Sequence, residues 1–392
     1  QRLELLLDCV LAPQPQPELL RLLHELLRVM GQQNGIRAVL ANHYSLLARQ
    51  VAERNAETGA HYITRDRAEY RQMLRHAAGG GAIIAGTTFA KFAIAALGLT
   101  AFWTGFWSGA NYAASFLIVM LLHWTVATKQ PAMTAPALAD SLHRGEGNDE
   151  ATLDAFVDRV AQLIRSQVAG IVGNLAACAP LVLAVQWLAT ALFGAPLVGR
   201  EDGQYVMHSV SLLGPTALFA AFTGVLLFVS SLIAGWAENW FVFHRLDSAL
   251  TWNPRIVARL GAARARRWAA WWRAHVSGVA ANVSLGMMLG LVPALLGFVG
   301  LPIEVRHVTL SSGQLAAAVG ALGLGVLSTG AFWWCVAGVA VTGVLNVGVS
   351  FWLAFKVALR SRGIVVQEQS RIHAAIRQRL FTRPLDFLLP PR

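Results

Sequence analysis

Charge is spread unevenly along this chain. Five stretches, residues 82–102, 110–128, 168–193, 210–237 and 276–299, hold a single charged side chain between them, that of Lys91. Each is long enough to cross the roughly 30 Å hydrocarbon core of a bilayer as a helix rising about 1.5 Å per residue. A sixth apolar stretch, 314–358, is too long for one crossing, since as an unbroken helix it would run to roughly 70 Å. Gly320, Gly323, Gly325 and Gly330, with the turn Ser328-Thr329-Gly330, place a break before Phe332. Ahead of the first window, Glu18, Arg21, Glu25 and Arg28 alternate with Leu19, Leu20, Leu22, Leu23, Leu26 and Leu27 at helical spacing. The pattern predicts an all-α, polytopic helical membrane protein. A helical cytosolic region covers 1–76, a transmembrane domain 77–362 and a basic cytosolic tail 363–392. The chain opens at Gln1 without a Met or a signal pattern, and a fragment or trimmed form of a longer protein is expected.

The connecting segments orient the windows. Arg65, Arg67, Arg71 and Arg75 precede the first, whereas the turn at 105–109 carries no charge. Arg245, Arg255, Arg259, Arg264, Arg266, Arg267 and Arg273 follow the fourth, whereas the turns at 199–203 and 301–312 carry one arginine each, Arg200 and Arg306. Basic loops stay on the cytoplasmic side, so both termini are expected there. The tail arginines Arg360, Arg362, Arg371, Arg377, Arg379 and Arg383 then require an even number of crossings. Six crossings plus a short glycine-rich re-entrant segment satisfy this, and seven crossings are the alternative. Re-entrant backbone is tolerated where protein or water covers it.

An internal repeat fits this plan. QVAGIVGN at 167–174 reappears as HVSGVAAN at 275–282, with a fainter copy, HAAG, at 76–79. His208 and Gly214 recur at the spacing of His307 and Gly313 in the outer turns. Three related helical hairpins, each fed by an arginine-bearing amphipathic stretch, are the simplest account.

Composition narrows the function. With 55% hydrophobic and 14% charged positions and a net charge of +11, the chain is excluded from soluble, disordered and disulfide-framework classes. Cys9, Cys178 and Cys335 share no ligand spacing. The 29 arginines suit anionic lipid headgroups better than nucleic acid. Among them Arg259, Arg266, Arg267 and Arg273, with Trp268, Trp271 and Trp272, have the composition of an interfacial helix. The glycines at Gly81 and Gly86 lack the lysine of a phosphate loop and, like Gly286 and Gly290, are expected to let helices approach closely.

Lys91 is the sharpest intramembrane signal, because a buried ammonium needs a partner and no acidic residue lies in any window. An anionic ligand or a water-filled cavity would supply one, as would snorkelling to the outer interface. Asn174 and Asn282 occupy equivalent repeat positions, where an amide most often bonds across helices and can also meet a ligand. His208, Glu304, Arg306 and His307 gather in the outer turns around a shared vestibule. Spacing assigns them no metal, and the pattern asks for no cofactor and no catalytic residue.

At ETGAHYITRD (57–66), AAGGG (77–81), TKQPAMTAP (128–136) and GLPIEVRHVTL (300–310), the chain resembles a bacterial membrane-protein family described as site-specific recombinase. The likeness runs over most of its length. It implies a recombinase activity and carries over no catalytic residue. The tyrosines lie at 44, 62, 70, 112 and 205, and none of the eleven histidines opens a His-x-x-Arg pair. The leading reading is an integral inner-membrane protein that binds or translocates a lipid or small anionic molecule through an interhelical cavity. A non-catalytic membrane scaffold that recruits a cytosolic partner is the alternative from the residues, and site-specific DNA recombination is the one from the resemblance.

Overall fold

The computed structural model describes residues 64, 66–126, 150–361 and 369–390, all within the compact unit that spans Gln50–Arg392. The helical reading of 1–63, Cys9, and the segments 127–149 and 362–368 lie outside the described residues. Every regular element among those described is helical. In chain order they are α1 (Arg67–Ala96), α2 (Ala101–Leu121), α3 (Glu150–Phe193), α4 (Arg200–Val210), α5 (Thr216–Phe243), α6 (Leu246–Trp252), α7 (Pro254–Leu260), α8 (Ala262–Phe298), α9 (Val308–Leu322), α10 (Gly330–Ser361) and α11 (Gln369–Thr382). Short 3-10 turns cover Leu324–Ser328 and Pro384–Phe387.

Five helices, α1, α3, α5, α8 and α10, are long and apolar enough to cross a membrane. α2, at 21 residues, carries Ser108, Asn111, Tyr112 and Ser115, which lower its hydropathy, yet it packs antiparallel along α8. The protein is therefore a polytopic helical membrane protein. The arginine-bearing stretches are not separate helices, because nothing interrupts them before the apolar windows. α1 starts on Asp66, whose carboxylate accepts the Ala68 and Glu69 amides at 2.8 Å, and runs unbroken through position 77. α3 has 44 residues and α8 has 37, about 66 and 55 Å, so each overshoots the bilayer core and projects its polar first third from it.

Small residues set the helix crossings. Gly286 and Gly290 of α8 lie against the backbone of Ala113, Gly105 and Gly109 of α2, so close that a Cβ at either would overlap main-chain atoms. Gly80 and Gly81 of α1 meet Thr125 and Asn174 in the same way, and Gly224 of α5 faces Val349 of α10. Gly86 touches nothing and has no part in packing. Without a hydrophobic driving force between helices in lipid, such close approaches supply the dispersion energy of association.

α9 makes the tertiary plan. Its twelve residues from Val308 to Val319 are all buried, so no face of it meets lipid. It begins where Asn174 of α3 and Asn346 of α10 lie, and ends where Gln186 of α3 meets Ala317 and Val198. The chain leaves α8 at Val299, passes inward as extended backbone over 301–307, and returns outward as α9. Gly323, at φ +89°, stops the helix in a conformation that suits glycine, and α10 then crosses back. The break thus falls within 323–329, where the glycines place it. α9 wedges between α3, α4 and α10.

Both ends of the described chain meet at one end of the bundle. Arg165 of α3 donates through Nη2 to the Thr64 carbonyl at 2.8 Å and through Nη1 to the Asp386 carbonyl at 3.4 Å. Phe387 is buried beside this contact, and Arg379 pairs with Asp158 at 3.0 Å and with Asp386 at 2.9 Å. Six traverses, α1, α2, α3, α5, α8 and α10, account for this even parity.

Candidate functional site at the re-entrant turn

The inward segment 301–307 brings charge to the foot of α9. Arg306 is 7% exposed. Its main-chain amide donates to Thr223 of α5 at 2.8 Å. Its guanidinium donates to the Ser209 carbonyl through Nε at 3.2 Å and Nη2 at 2.9 Å, and to its neighbour's carbonyl, Val305, through Nη1 at 3.0 Å. The same Nη1 lies 2.6 Å from Glu304, and the Phe219 ring sits 5.4 Å from the guanidinium carbon. The second Glu304 oxygen accepts the Tyr205 hydroxyl at 3.2 Å. Burial and the Glu304 carboxylate push that hydroxyl up from its ordinary value, so Tyr205 stays a donor at neutral pH.

Lys91 of α1 is half-buried within electrostatic reach of both Arg306 and Glu304. No hydrogen bond or ion pair holds its ammonium among the described residues. Two cations against one carboxylate leave the cluster one positive charge in excess, in surroundings that make an unbalanced charge costly. His307 follows directly as the N-cap residue of α9, 2% exposed, with its ring 5.8 Å from that of Phe116 on α2.

Of the four residues expected around a shared vestibule, Glu304, Arg306 and His307 lie together at the foot of α9, with Lys91 in electrostatic reach, whereas His208, Asn174 and Asn282 lie elsewhere. Asn174 is fully buried, but its amide donates to the carbonyls of Ala77 and Thr125, and its oxygen accepts the Thr309 hydroxyl at 3.4 Å. That ties α1, the segment after α2, and α9 to α3. Asn282 bonds only within α8, to the Gly278 carbonyl at 2.7 Å. The repeat therefore does not make the two asparagines equivalent: α9 passes beside Asn174 and not beside Asn282. His208 is exposed in the last turn of α4 while His307 caps the start of α9, so the apparent match of the outer turns pairs positions with different roles.

Sequence reasoning missed Asn346 and Tyr205. Asn346 donates to the Ala220 and Arg306 carbonyls at 2.9 Å each and accepts the Val308 amide at 3.2 Å, fastening the re-entrant turn to α5 and α10. A fully buried amide inside an apolar run was its signal. Arg266, Arg267, Trp268, Trp271 and Arg273 are exposed in the first third of α8, with Trp272 half-buried and Arg259 exposed on α7. Trp271 stacks on His275 with centroids 4.6 Å apart. This basic, aromatic stretch is the projecting start of a spanning helix rather than a helix of its own. No group of three or more histidine, cysteine or acidic side chains among the described residues is placed to hold a metal.

Beyond Tyr205 an open cleft of about 670 Å³ lies between α4 and the α9–α10 connection. Glu201, Gln204, Tyr205, Met207 and His208 line it from α4, and Leu322, Val326, Thr329 and Ala331 from the other side.

No curated protein and no solved structure matches the chain. A family model does, that of the site-specific recombinase family, and it covers residues 1–390. With nearly every residue inside that match, the chain belongs to the site-specific recombinase family.

Proposed function

We propose that this integral membrane protein binds a lipid or small anionic molecule between its helices, in the bacterial inner membrane with both described ends cytoplasmic, and moves it past the re-entrant turn. The observation that carries this reading is the placement of Lys91 beside Glu304 and Arg306 at the foot of a buried, broken helix. Broken helices and ionisable groups at membrane depth are costly, and substrate pathways are where membrane proteins keep them. The excess positive charge favours a phosphate- or carboxylate-bearing ligand. The exposed Arg266, Arg267 and Arg273 with Trp268 and Trp271 suit contact with anionic headgroups at the cytoplasmic surface.

The test is native mass spectrometry of the purified protein and of Lys91→Met. Lys91 lies in the last two turns of α1, where an ammonium costs up to the roughly 2.5–3.5 kcal/mol that insertion scales assign to a helix centre, and Met fills similar volume without it. The variant should melt higher in detergent and lose a co-purified anionic species. Unchanged ligand content would make Lys91 a packing residue and end this reading.

Family membership favours a second reading, DNA strand exchange. That chemistry needs arginines free to hold a phosphate, whereas the Arg306 donors are engaged by Ser209, Val305 and Glu304. Cleavage or strand transfer of duplex DNA by the purified protein would establish it in place of the first.

A further inference from the structure

The cleft between α4 and the α9–α10 connection differs chemically from the cluster behind it. Its volume of about 670 Å³ falls inside the roughly 300–1,000 Å³ usual for small-molecule sites. No lysine or arginine lines it, and its one formal charge is the carboxylate of Glu201. Tyr205 spends its proton on Glu304, so the phenol oxygen offers lone pairs to the cleft. The Gln204 amide oxygen adds an acceptor, as does the Thr329 hydroxyl, which donates its own proton to the Val326 carbonyl at 2.7 Å. Arg306, the nearest buried cation described, is turned away onto the Ser209 carbonyl and Glu304. The polar wall therefore suits a donor-bearing cation and disfavours a bare anion.

The side supplied by α9, the connection and α10 is apolar apart from Thr329, and it continues onto a surface with the character of lipid contact. Leu324 is 55% exposed, Trp333 61% and Trp334 45%, all beside the lining residues Val326, Thr329 and Ala331. Tryptophans at the end of a spanning helix mark the headgroup level. The cleft is also pinned to that end of the bundle, since the Leu212 amide bonds the Trp334 carbonyl at 3.1 Å and Cys335 bonds the Met207 carbonyl at 3.0 Å.

We infer that this cleft is a binding site for a phospholipid whose head ends in a primary ammonium, an ethanolamine lipid, with the head against Glu201, Gln204, Tyr205 and Thr329 and the chains along Leu322, Val326 and Ala331. The site stands whether or not Lys91 binds an anion: Tyr205 touches that cluster through Glu304, but Glu201, Gln204, Thr329 and the apolar lining do not belong to it.

The test uses the full chain in nanodiscs of phosphatidylcholine doped with equal phosphatidylethanolamine and phosphatidylglycerol, extracted into detergent and read by native mass spectrometry. Phosphatidylethanolamine should be retained about tenfold over both others, the ratio that a charge-assisted hydrogen bond of about 1.4 kcal/mol supplies. Glu201→Gln should bring the three lipids to parity at unchanged melting temperature, and Ala331→Trp, which fills the cleft, should abolish retention of all three. Equal or preferred retention of phosphatidylglycerol overturns the proposal, as does phosphatidylethanolamine retention that neither variant changes. Displacement of the lipid by free ethanolamine would assign the site to a soluble amine instead and overturn the lipid assignment. Since Glu201 is exposed on α4, its variant separates loss of binding from loss of fold.

Discussion

A buried amide in a membrane protein is worth as much as the number of segments it joins. Asn346 satisfies two carbonyls and one amide from α5 and the re-entrant turn, whereas Asn282 bonds one carbonyl of its own helix. Removing the first orphans the Arg306 carbonyl and the Val308 amide, at about 1–3 kcal/mol each and not additively, while the Ala220 carbonyl lies within the ladder of α5. Asn346→Ala is expected to lower the melting temperature in detergent sharply, and Asn282→Ala to change it little. Equal shifts would show that the turn is held by something other than this amide. Asn174 should behave like Asn346, because it too joins separate elements, while the same residue type at position 282 has no such neighbour. The amino-acid alphabet marks all three positions as polar in an apolar run, and only the neighbours distinguish them.

Between elements, packing depends on where a missing side chain lets two backbones meet. A Cβ at Gly290 would overlap Gly105 and Gly109 of α2, so Gly290→Ala forces α2 and α8 apart and should cost about 1–3 kcal/mol, the usual range for overpacking. Gly86 meets nothing within 4 Å, and Gly86→Ala should be neutral or stabilise α1 by about 0.5–1 kcal/mol through helix propensity. Thermal unfolding of the two variants side by side checks this; destabilisation by Gly86→Ala would show a contact at that face. Glycine at regular spacing suggests close packing at both positions. The crossing itself exists only where another helix arrives. The same holds for the arginine-bearing stretches, whose polar character is evident from charge but whose continuity with the spans follows from helices α1, α3 and α8 that nothing interrupts.

For the molecule as a whole, the shared end of Thr64, Arg165 and Asp386 makes the number of traverses even. Single cysteines replacing Asp154, Gly261 and Arg379 should then react with an impermeant maleimide from one side of the membrane, and one replacing Asp202 from the other. On the orientation proposed above from arginine placement, the first side is the cytoplasmic one. Labelling of the Arg379 position from the side of Asp202 would instead require seven traverses and displace α9 from its re-entrant course. The tail contact should be modest in energy, because Arg379 and Asp158 are partly exposed and ion pairs of that kind contribute roughly 0–1 kcal/mol.

Hydrophobic runs, glycine breaks and arginine placement are local quantities, read along one dimension, and they determined the helical membrane class, most of the spans, the break near Ser328 and the position of Lys91 inside an apolar run. What they could not carry is the identity of neighbours. Sequence marks 314–358 as broken, but that α9 is sheathed by protein on every face follows from the way α3, α4 and α10 surround it. Glu304 and Arg306 are two residues apart and their pairing is foreseeable from spacing; Ser209, Phe219 and Tyr205 join them across about a hundred positions of chain. Desolvation makes each buried polar group find a partner, yet which partner is settled by packing, because a lipid-facing surface and a protein-facing one are equally apolar in composition.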